Sequence, residues 1–312
     1  MTQHASTALR GLKVGAIEPL GDRRAAFLGC GDSLAAARPA EWLGHRVLSA
    51  GDVAWSGEAP MGVDVAVALS WSGNTAATIE AAKICKDAGM PLIAITTNAD
   101  SPLAQMADES VILPKFDFQE VIPALGYVIH SAAVMEMCTG QRLDLADFAQ
   151  RWDEGAKTVP EKVKDWGVAP QGISVVSMPD VHGAGEFWML KLIEALGLSV
   201  RWTSVEEVGH VDYFIGPQAH LDVLLSGKKD PARLHSLGDA LGRNGQFPVR
   251  IGFDEYSGWP LQILGGALGA DWAEAMAHRW GRPPFRGHIV DMSAAHIQIQ
   301  PPTQDPQIQN KK

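Results

Sequence analysis

The stretch ALSWSGNTAATIEAAKICKDAGMPLIAITT, residues 68–97, decides the fold class. An apolar run ends in a cluster of small polar residues, a helix-like segment follows, and a second apolar run begins at residue 91. Apolar runs rich in Val, Ile and Ala, without strict alternation, are typical of strands that are covered on both faces. The stretch therefore predicts a strand–helix–strand unit of a parallel sheet.

Similar apolar runs recur along the chain, with helix-like segments between most of them. They lie at residues 25–30, 46–50, 64–71, 91–97 and 110–114 in the first half, and at 173–178, 199–205, 221–227 and 247–253 in the second. Alternation of strands and helices is typical of an α/β fold with a parallel sheet. We therefore predict two successive doubly wound, flavodoxin-like units.

The length and composition indicate how the chain is divided. A chain of 312 residues corresponds to about two domains, and we expect them at residues 1–150 and 173–296. The charged stretch 151–172, which contains two prolines, is predicted to be a helix end plus a linker. Residues 297–312 are polar and contain prolines, so we expect a disordered tail.

The charge and the cysteines exclude several classes of function. A net charge of −10 disfavours binding to nucleic acid or to an anionic membrane, because both need clustered Lys and Arg. Three cysteines give neither a disulfide framework nor the spacing of metal ligands. We expect a cytoplasmic protein, since no apolar signal core or long apolar span is evident. We also expect neither a cofactor nor a metal.

Two corners at the predicted carboxyl ends of strands are candidates for anion binding. GCGDSLAAA (29–37) follows the first strand and SWSGNTAATIEAA (70–82) follows the third. The N-terminus of a helix attracts anions through free N–H groups and its positive dipole end, although Ser and Thr there also cap helices routinely. The residues that would contribute hydroxyls or a close backbone approach are Gly31, Ser33, Ser70, Ser72, Gly73, Asn74 and Thr75. No Walker loop or Gly-x-Gly-x-x-Gly turn is present, so nucleotide binding is disfavoured.

These motifs resemble the sugar isomerase (SIS) domain, strongly over residues 25–115 and more weakly in the second half. In that family the first-corner serine and a Ser-x-Ser-Gly-x-Thr loop hold the phosphate of a phosphosugar. The resemblance implies that role for Ser33, Ser70, Ser72 and Thr75. Asp32 departs from the family, which usually has glycine or a small neutral residue there, so a less charged anion such as a sugar sulfonate stays open.

The segment KLIEALGLSVRWTSVEEVGH (191–210) resembles the second SIS unit of tandem sugar isomerases and phospho-Amadori deglycases. Those enzymes have a glutamate on the first helix of that unit and a histidine sixteen positions later. The resemblance implies that Glu194 moves a proton between C1 and C2 through a cis-enediol, and that His210 opens the sugar ring of a neighbouring subunit. Glu207 is a third candidate. The alternatives are a surface pair of Glu194 with Lys191, and a pairing of His210 with Glu206 or Glu207.

The function predicted from these residues is that of an aldose–ketose isomerase acting on an anionic hexose, most simply a hexose 6-phosphate, as a homodimer. Deglycation of a phosphorylated fructosyl-amine, isomerisation of a sulfonated hexose and non-catalytic phosphosugar binding are the alternatives. The cation that relatives use to stabilise the enediolate is not evident. Relatives have this cation either after the fifth strand or near the C-terminus. Here the position after the fifth strand has Gln119 and Glu120, and the segment near the C-terminus offers Arg286 or His288.

Overall fold

The computed structural model describes residues 4–12, 14–118, 120–227, 231–253 and 258–282. The strands in this part of the chain are β1 (Ala25–Gly29), β2 (Arg46–Ser49), β3 (Val65–Leu69), β4 (Leu92–Thr96), β5 (Glu109–Ile112), β6 (Gly172–Ser177), β7 (Ser199–Ser204), β8 (His220–Ser226) and β9 (Phe247–Gly252). The α-helices are α1 (Asp32–Ala37), α2 (Ala50–Ser56), α3 (Ala76–Asp87), α4 (Pro102–Met106), α5 (Leu125–Thr139), α6 (Leu145–Val163), α7 (His182–Leu196), α8 (Pro231–Arg243) and α9 (Trp259–Arg279).

The strands form two parallel sheets. The first has the order β2-β1-β3-β4-β5 and the second has the order β7-β6-β8-β9. Every adjacent pair in both sheets is parallel. The predicted α/β fold with two doubly wound sheets is therefore confirmed. In each sheet the strand order reverses beside the first strand, and ligands of such sheets bind at this switch point, beyond the carboxyl ends of the strands.

The central strands are buried because both of their faces are covered. All residues of β1, β3 and β4 are buried, and their sequences AAFLG, VAVAL and LIAIT contain almost no polar side chains. The edge strand β5 has the sequence ESVI and is largely exposed. The continuous apolar runs were thus a reliable signal for the interior of a parallel sheet.

Helix α9 packs against helices from both halves of the chain. Small residues on its surface allow this, since a Cβ at Gly266 would overlap the Tyr127 ring of α5, and one at Gly269 would lie 2.7 Å from the Trp188 ring of α7. Tyr127 Oη donates a hydrogen bond to the Gln262 carbonyl (3.2 Å), and Trp188 Nε1 donates to the Gly265 carbonyl (2.7 Å). The two sheets therefore share one helical layer.

The segment around the predicted boundary is partly helical. Helix α6 includes residues 151–163, and Trp152 on it donates a hydrogen bond to Asp271 of α9 (2.7 Å). The chain then runs without a long regular element to β6. The tail at 297–312, together with the prolines at 283 and 284, lies outside the described residues. In the described part, no helix is both long and apolar enough to cross a membrane.

Candidate active site

The two predicted corners lie side by side at the switch point of the first sheet. Strands β1 and β3 are neighbours with Leu28 opposite Ala68, so the residues that follow them leave the same edge. Gly31, with a φ of +54°, precedes α1, and Ser33 is buried in its first turn. The Thr78 hydroxyl is 3.9 Å from Cys30 Sγ and links the corners. The structure therefore brings the two predicted anion-binding segments together.

The hydroxyls of the loop 70–75, which we call the anion loop, bond to one another and to the loop backbone. Ser70 Oγ lies 3.0 Å from Thr75 Oγ1 and accepts a hydrogen bond from the Gly73 N–H (3.1 Å). Ser72 Oγ accepts from the Asn74 N–H (3.2 Å). Because Ser72 is only an acceptor here, its own hydroxyl proton can be donated to a ligand. Thr75 precedes α3 without a side-chain capping bond, so simple capping does not account for it.

A second layer of residues, which the sequence patterns did not indicate, holds the anion loop. Thr96 and Thr97, at the end of β4, both donate hydroxyl hydrogen bonds to the Trp71 carbonyl, at 3.2 and 2.8 Å. The Leu103 N–H donates to the Gly73 carbonyl (3.3 Å). The carboxyl ends of β3 and β4 thus position the loop together. The signal available in the sequence was the hydroxyl pair that ends the fourth apolar run.

Gly73 is the residue of the anion loop that should tolerate substitution least. Its φ is +69°, and a Cβ there would overlap the side chain of Ser101. We expect Gly73→Ala to lower the free energy of unfolding by about 1–2 kcal/mol for the left-handed backbone, and by a further 1–3 kcal/mol or so for the overlap.

Gly62→Ala is the matched control, because Gly62 has a φ of +73° but nothing within 4 Å of the added Cβ. Urea unfolding of both variants separates the backbone effect from the overlap. Equal losses of stability in the two variants would show that the packing against Ser101 is not as described.

The side chain of Trp71, a residue of the anion loop, packs against neighbouring aromatic rings rather than projecting freely. Its indole is 37% exposed, stacks on Phe116 (centroids 6.2 Å apart) and meets His130 edge-on (5.7 Å). His130 is 2% exposed, and burial lowers its pKa to about 4. A protonated His130 would therefore place an unfavourable charge directly behind the loop.

The lowered pKa of His130 predicts a loss of stability in acid. Between about pH 6.5 and pH 4 the unfolded chain binds a proton on this histidine while the folded chain does not, so the free energy of unfolding falls as the pH falls. The full contribution is about 3 kcal/mol. We expect His130→Leu to remove it, as measured by urea unfolding at pH 7 and pH 4.5. His278→Ala, at an exposed histidine, should keep the dependence of the natural chain.

The second half of the chain contributes a buried lysine to the same region. Lys191 on α7 is 1% exposed, and its Nζ lies 2.9 Å from Asp32 Oδ2 and 2.7 Å from Glu194 Oε2. The carboxylates of Asp32 and Glu194 are 38% and 30% exposed. The pair of Glu194 with Lys191 thus exists, but it is not the surface pair considered above, because its lysine is buried. Asp32 turns toward this ammonium group.

Glu120 is a further carboxylate near this group. It accepts hydrogen bonds from the N–H groups of Ala124 (2.7 Å) and Leu125 (2.9 Å) at the start of α5. Burial raises the pKa of Glu120, and the two N–H groups and the charge of Lys191 offset part of this increase. The geometry makes Glu120 the cap of α5. Gln119, Arg286 and His288 lie outside the described residues.

His210 and Glu207 are not among the hydrogen-bond or ion-pair partners of Lys191 in the described part of the chain. Both are exposed on the 3-10 helix Glu207–His210, which follows β7. The side chain of His210 forms no hydrogen bond or ion pair within the described part of the chain, and Glu206 pairs with Arg233 instead. The structure therefore joins Asp32, Lys191 and Glu194, but within one chain it does not add His210 or Glu207 to them.

Lys191 is the functional candidate that the sequence patterns missed. A lysine is almost never fully buried unless it is paired, and one of its partners is 159 residues away in the chain. The signal that could have identified it is its place in GEFWMLKLIEAL, where it follows four apolar residues and stands three positions before Glu194. A buried ammonium group beside a half-buried carboxylate is suited to proton transfer with charge stabilisation.

Comparisons with known proteins agree with this geometry. Residues 63–135 match the family model of the SIS domain. A 3-hexulose-6-phosphate isomerase from Mycobacterium gastri is 45% identical over 51 residues, which are 16% of this chain and 26% of that protein. The chain therefore matches only about a quarter of the length of this curated relative.

Solved structures resemble nearly the whole chain. Glucosamine-6-phosphate deaminase from Thermotoga maritima has a TM-score of 0.74 at 17% identity, with 92% of this chain and 94% of that one covered. Tagatose-6-phosphate ketose/aldose isomerase from Escherichia coli has a TM-score of 0.71 at 15% identity, with 84% of each chain covered. Residues 63–135 are thus similar to the SIS domain, and the chain, with its two parallel sheets, shares its fold with these solved structures.

Proposed function

We propose that the protein is an aldose–ketose isomerase that acts on an anionic hexose, most simply a hexose 6-phosphate. The observation that carries this proposal is the contact of buried Lys191 with both Asp32 and Glu194. Asp32 begins α1 at the first-sheet corner, next to Ser33, while Glu194 belongs to the second half. A sugar whose anionic end is held by the corners would thus lie near a carboxylate base and an ammonium group.

In this proposal each of the two groups has a separate role in the proton transfer. The Glu194 carboxylate removes a proton from C1 or C2 and returns it to the other carbon. The Lys191 ammonium group lies beside it and stabilises the negative oxygen of the enediolate that forms in between. Lys191 thereby supplies the cation that was not evident in the sequence. The anion loop holds the far end of the sugar and fixes its orientation.

The position of His210 supports a site shared between two subunits. Its side chain is exposed, and among the described residues it forms no hydrogen bond or ion pair with Glu194 of the same chain. We propose that His210, together with Glu207, reaches the sugar ring in the neighbouring subunit of a homodimer and opens the ring by proton transfer. Isolated monomers would then bind the anion but would not turn over the cyclic sugar.

The names of the relatives support an anionic hexose as the substrate class. The Mycobacterium gastri protein is a hexulose-phosphate isomerase, and the Escherichia coli structure is a ketose/aldose isomerase acting on tagatose 6-phosphate. The Thermotoga maritima structure is a glucosamine-6-phosphate deaminase, so release of an amine from a phosphorylated fructosyl-amine is the second candidate. The pairing of Asp32 with Lys191 leaves one negative charge in excess when Glu194 is included, which keeps a sulfonated hexose open as the third.

A substrate panel in deuterated water tests the proposal. It contains glucose, mannose and glucosamine 6-phosphates, a phosphorylated fructosyl-amino acid and sulfonated glucose. We expect turnover of one aldose with deuterium incorporated at C1 or C2, because proton transfer by one carboxylate exchanges with solvent. Amine release without isomerisation would establish the deglycase instead. Binding of a sugar phosphate without turnover or exchange would leave only the phosphosugar-binding role.

A further inference from the structure

A group of polar side chains lies buried beneath the second sheet, near the start of β8. His220 and Asp222 are two positions apart on this strand, so their side chains point to the same face. In the strand pairing, Ser174 of β6 lies opposite Asp222 of β8 on one side and opposite Arg201 of β7 on the other. Asp212, in the 3-10 helix Asp212–Ile215, approaches the same face. These residues are at the opposite end of the strands from the carboxyl-terminal edge.

Three of these residues offer ligand atoms at one point. Asp212, His220 and Asp222 each offer one ligand atom, and these three atoms lie within 4.8 Å of one another. His220 Nε2 is 3.9 Å from Asp222 Oδ1. In a tetrahedral site with bonds of about 2.0–2.1 Å, ligand atoms are about 3.3–3.4 Å apart. The ligand atoms would therefore have to approach one another by about 0.5 Å between His220 and Asp222, and by up to about 1.5 Å for the widest separation, to hold an ion.

The charges in this group are not balanced by the residues around them. Asp212 and Asp222 are both fully buried; among the residues that the structure describes, the guanidinium in contact with them is that of Arg201, which pairs with Asp212 Oδ1. Gln246 donates its amide N–H to Asp222 (3.1 Å) but brings no charge. Asp222 has no cation of its own among these residues, and burial raises the pKa of its carboxyl group to about 7. Burial of such a charge is unfavourable unless a partner neutralises it.

A second observation points to a ligand at this position. Asp212 Oδ2 is fully buried and has no hydrogen-bond partner within the described part of the chain. Buried carboxylate oxygens are nearly always paired, and each exception requires a physical explanation. His220 Nε2 contacts Ser174 Oγ (2.9 Å), which also accepts a hydrogen bond from Arg201 Nε (3.0 Å). Ser174 would therefore keep a partner if His220 turned to a different one.

We propose that Asp212, His220 and Asp222 bind a divalent transition-metal ion such as Zn²⁺. One imidazole and two carboxylates suit such an ion better than Mg²⁺ or Ca²⁺, which prefer oxygen ligands alone. The ion supplies the missing positive charge and the partner of Asp212 Oδ2. Because Asp212 follows His210 by two residues, the ion also fixes the segment that carries His210 and Glu207. The site is separate from Glu194 and does not depend on the proposed isomerase activity.

Zinc titration tests this site directly. The full-length chain, without a polyhistidine tag and freed of metal by dialysis against a chelator, is titrated with ZnCl₂ in a calorimeter. We expect one equivalent to bind, and Asp222→Asn to weaken binding by about 100-fold or more, since even loss of an outer partner of a metal ligand costs about 10–100-fold. His278→Ala removes an exposed His–Glu pair (3.5 Å) that could hold an adventitious ion, and should leave the affinity unchanged.

Two results would overturn the proposal. One is the absence of stoichiometric binding, and the other is zinc binding that Asp222→Asn leaves intact. If circular dichroism shows that Asp222→Asn does not fold, crystals of the natural chain soaked in ZnCl₂ decide the question by anomalous scattering at the zinc edge. A peak between Asp212, His220 and Asp222 supports the site, while peaks only elsewhere exclude it.

Discussion

Replacing Glu194 with glutamine is expected to lower the turnover of the proposed isomerase by about 10²–10⁴-fold, the usual contribution of a positioned general base. The amide has nearly the same shape and can still contact Lys191 Nζ, but it cannot accept a proton from carbon. Binding of the sugar should change little, because the hydrogen bonds that hold the anion loop do not involve Glu194. The measurements are kcat, KM and the rate of deuterium exchange at C1 or C2.

Glu186→Gln is the matched control for this variant. Glu186 lies on the same helix but pairs with Arg38 (2.6 Å), and in the described part of the chain it forms no ion pair with Lys191. Its neutralisation should leave kcat per folded molecule unchanged. If Glu194→Gln keeps near-normal exchange and turnover, Glu194 is not the base, and the proposed reaction would need another proton acceptor.

Replacing Lys191 with methionine is expected to separate activity from stability. Loss of the ammonium group beside the enediolate should lower kcat by about 10²–10³-fold, as removal of one oxyanion donor does in other enzymes. The free energy of unfolding should change by no more than about 1–2 kcal/mol, because methionine fills the same buried space without a charge to desolvate. Asp32 and Glu194 lose their partner but are about a third exposed, so water screens them.

Lys86→Met provides the comparison for Lys191→Met. Lys86 pairs with Asp108 at 3.0 Å on the surface, and both side chains are largely exposed. Its replacement should alter neither the unfolding midpoint nor kcat. A large loss of stability in Lys191→Met, with normal kcat in the molecules that remain folded, would show that Lys191 is a structural residue and not part of the site.

The strands could be predicted from the sequence because each is a short apolar run between polar segments. The run VAVAL, for example, is entirely buried in β3, which removes its apolar side chains from water. The anion corners followed from the same reasoning, since the carboxyl ends of adjacent parallel strands meet at one edge. What these residues bind was inferred from resemblance, and stays a proposal.

The parts that could not be predicted depend on contacts distant in sequence. The pairing of Lys191 with Asp32 joins α7 of the second half to α1 of the first, and no local sequence pattern predicts it. The group formed by Asp212, His220 and Asp222 had a partial signal, because the spacing of the last two places them on one face of a strand. That signal was hidden inside an apolar run, and Asp212 reaches it from a separate segment. The role proposed for His210 requires a second subunit, and it stays a proposal.

The position of helix α9 has a consequence for how the protein is made. This helix, Trp259–Arg279, is the last regular element described, yet Tyr127 of α5, Trp152 of α6 and Trp188 of α7 all hydrogen-bond to it. During synthesis on the ribosome, these aromatic side chains emerge more than seventy residues before the helix that covers them. The nascent chain must therefore carry uncovered apolar surfaces in both halves until α9 arrives, a period in which chaperones have a binding target.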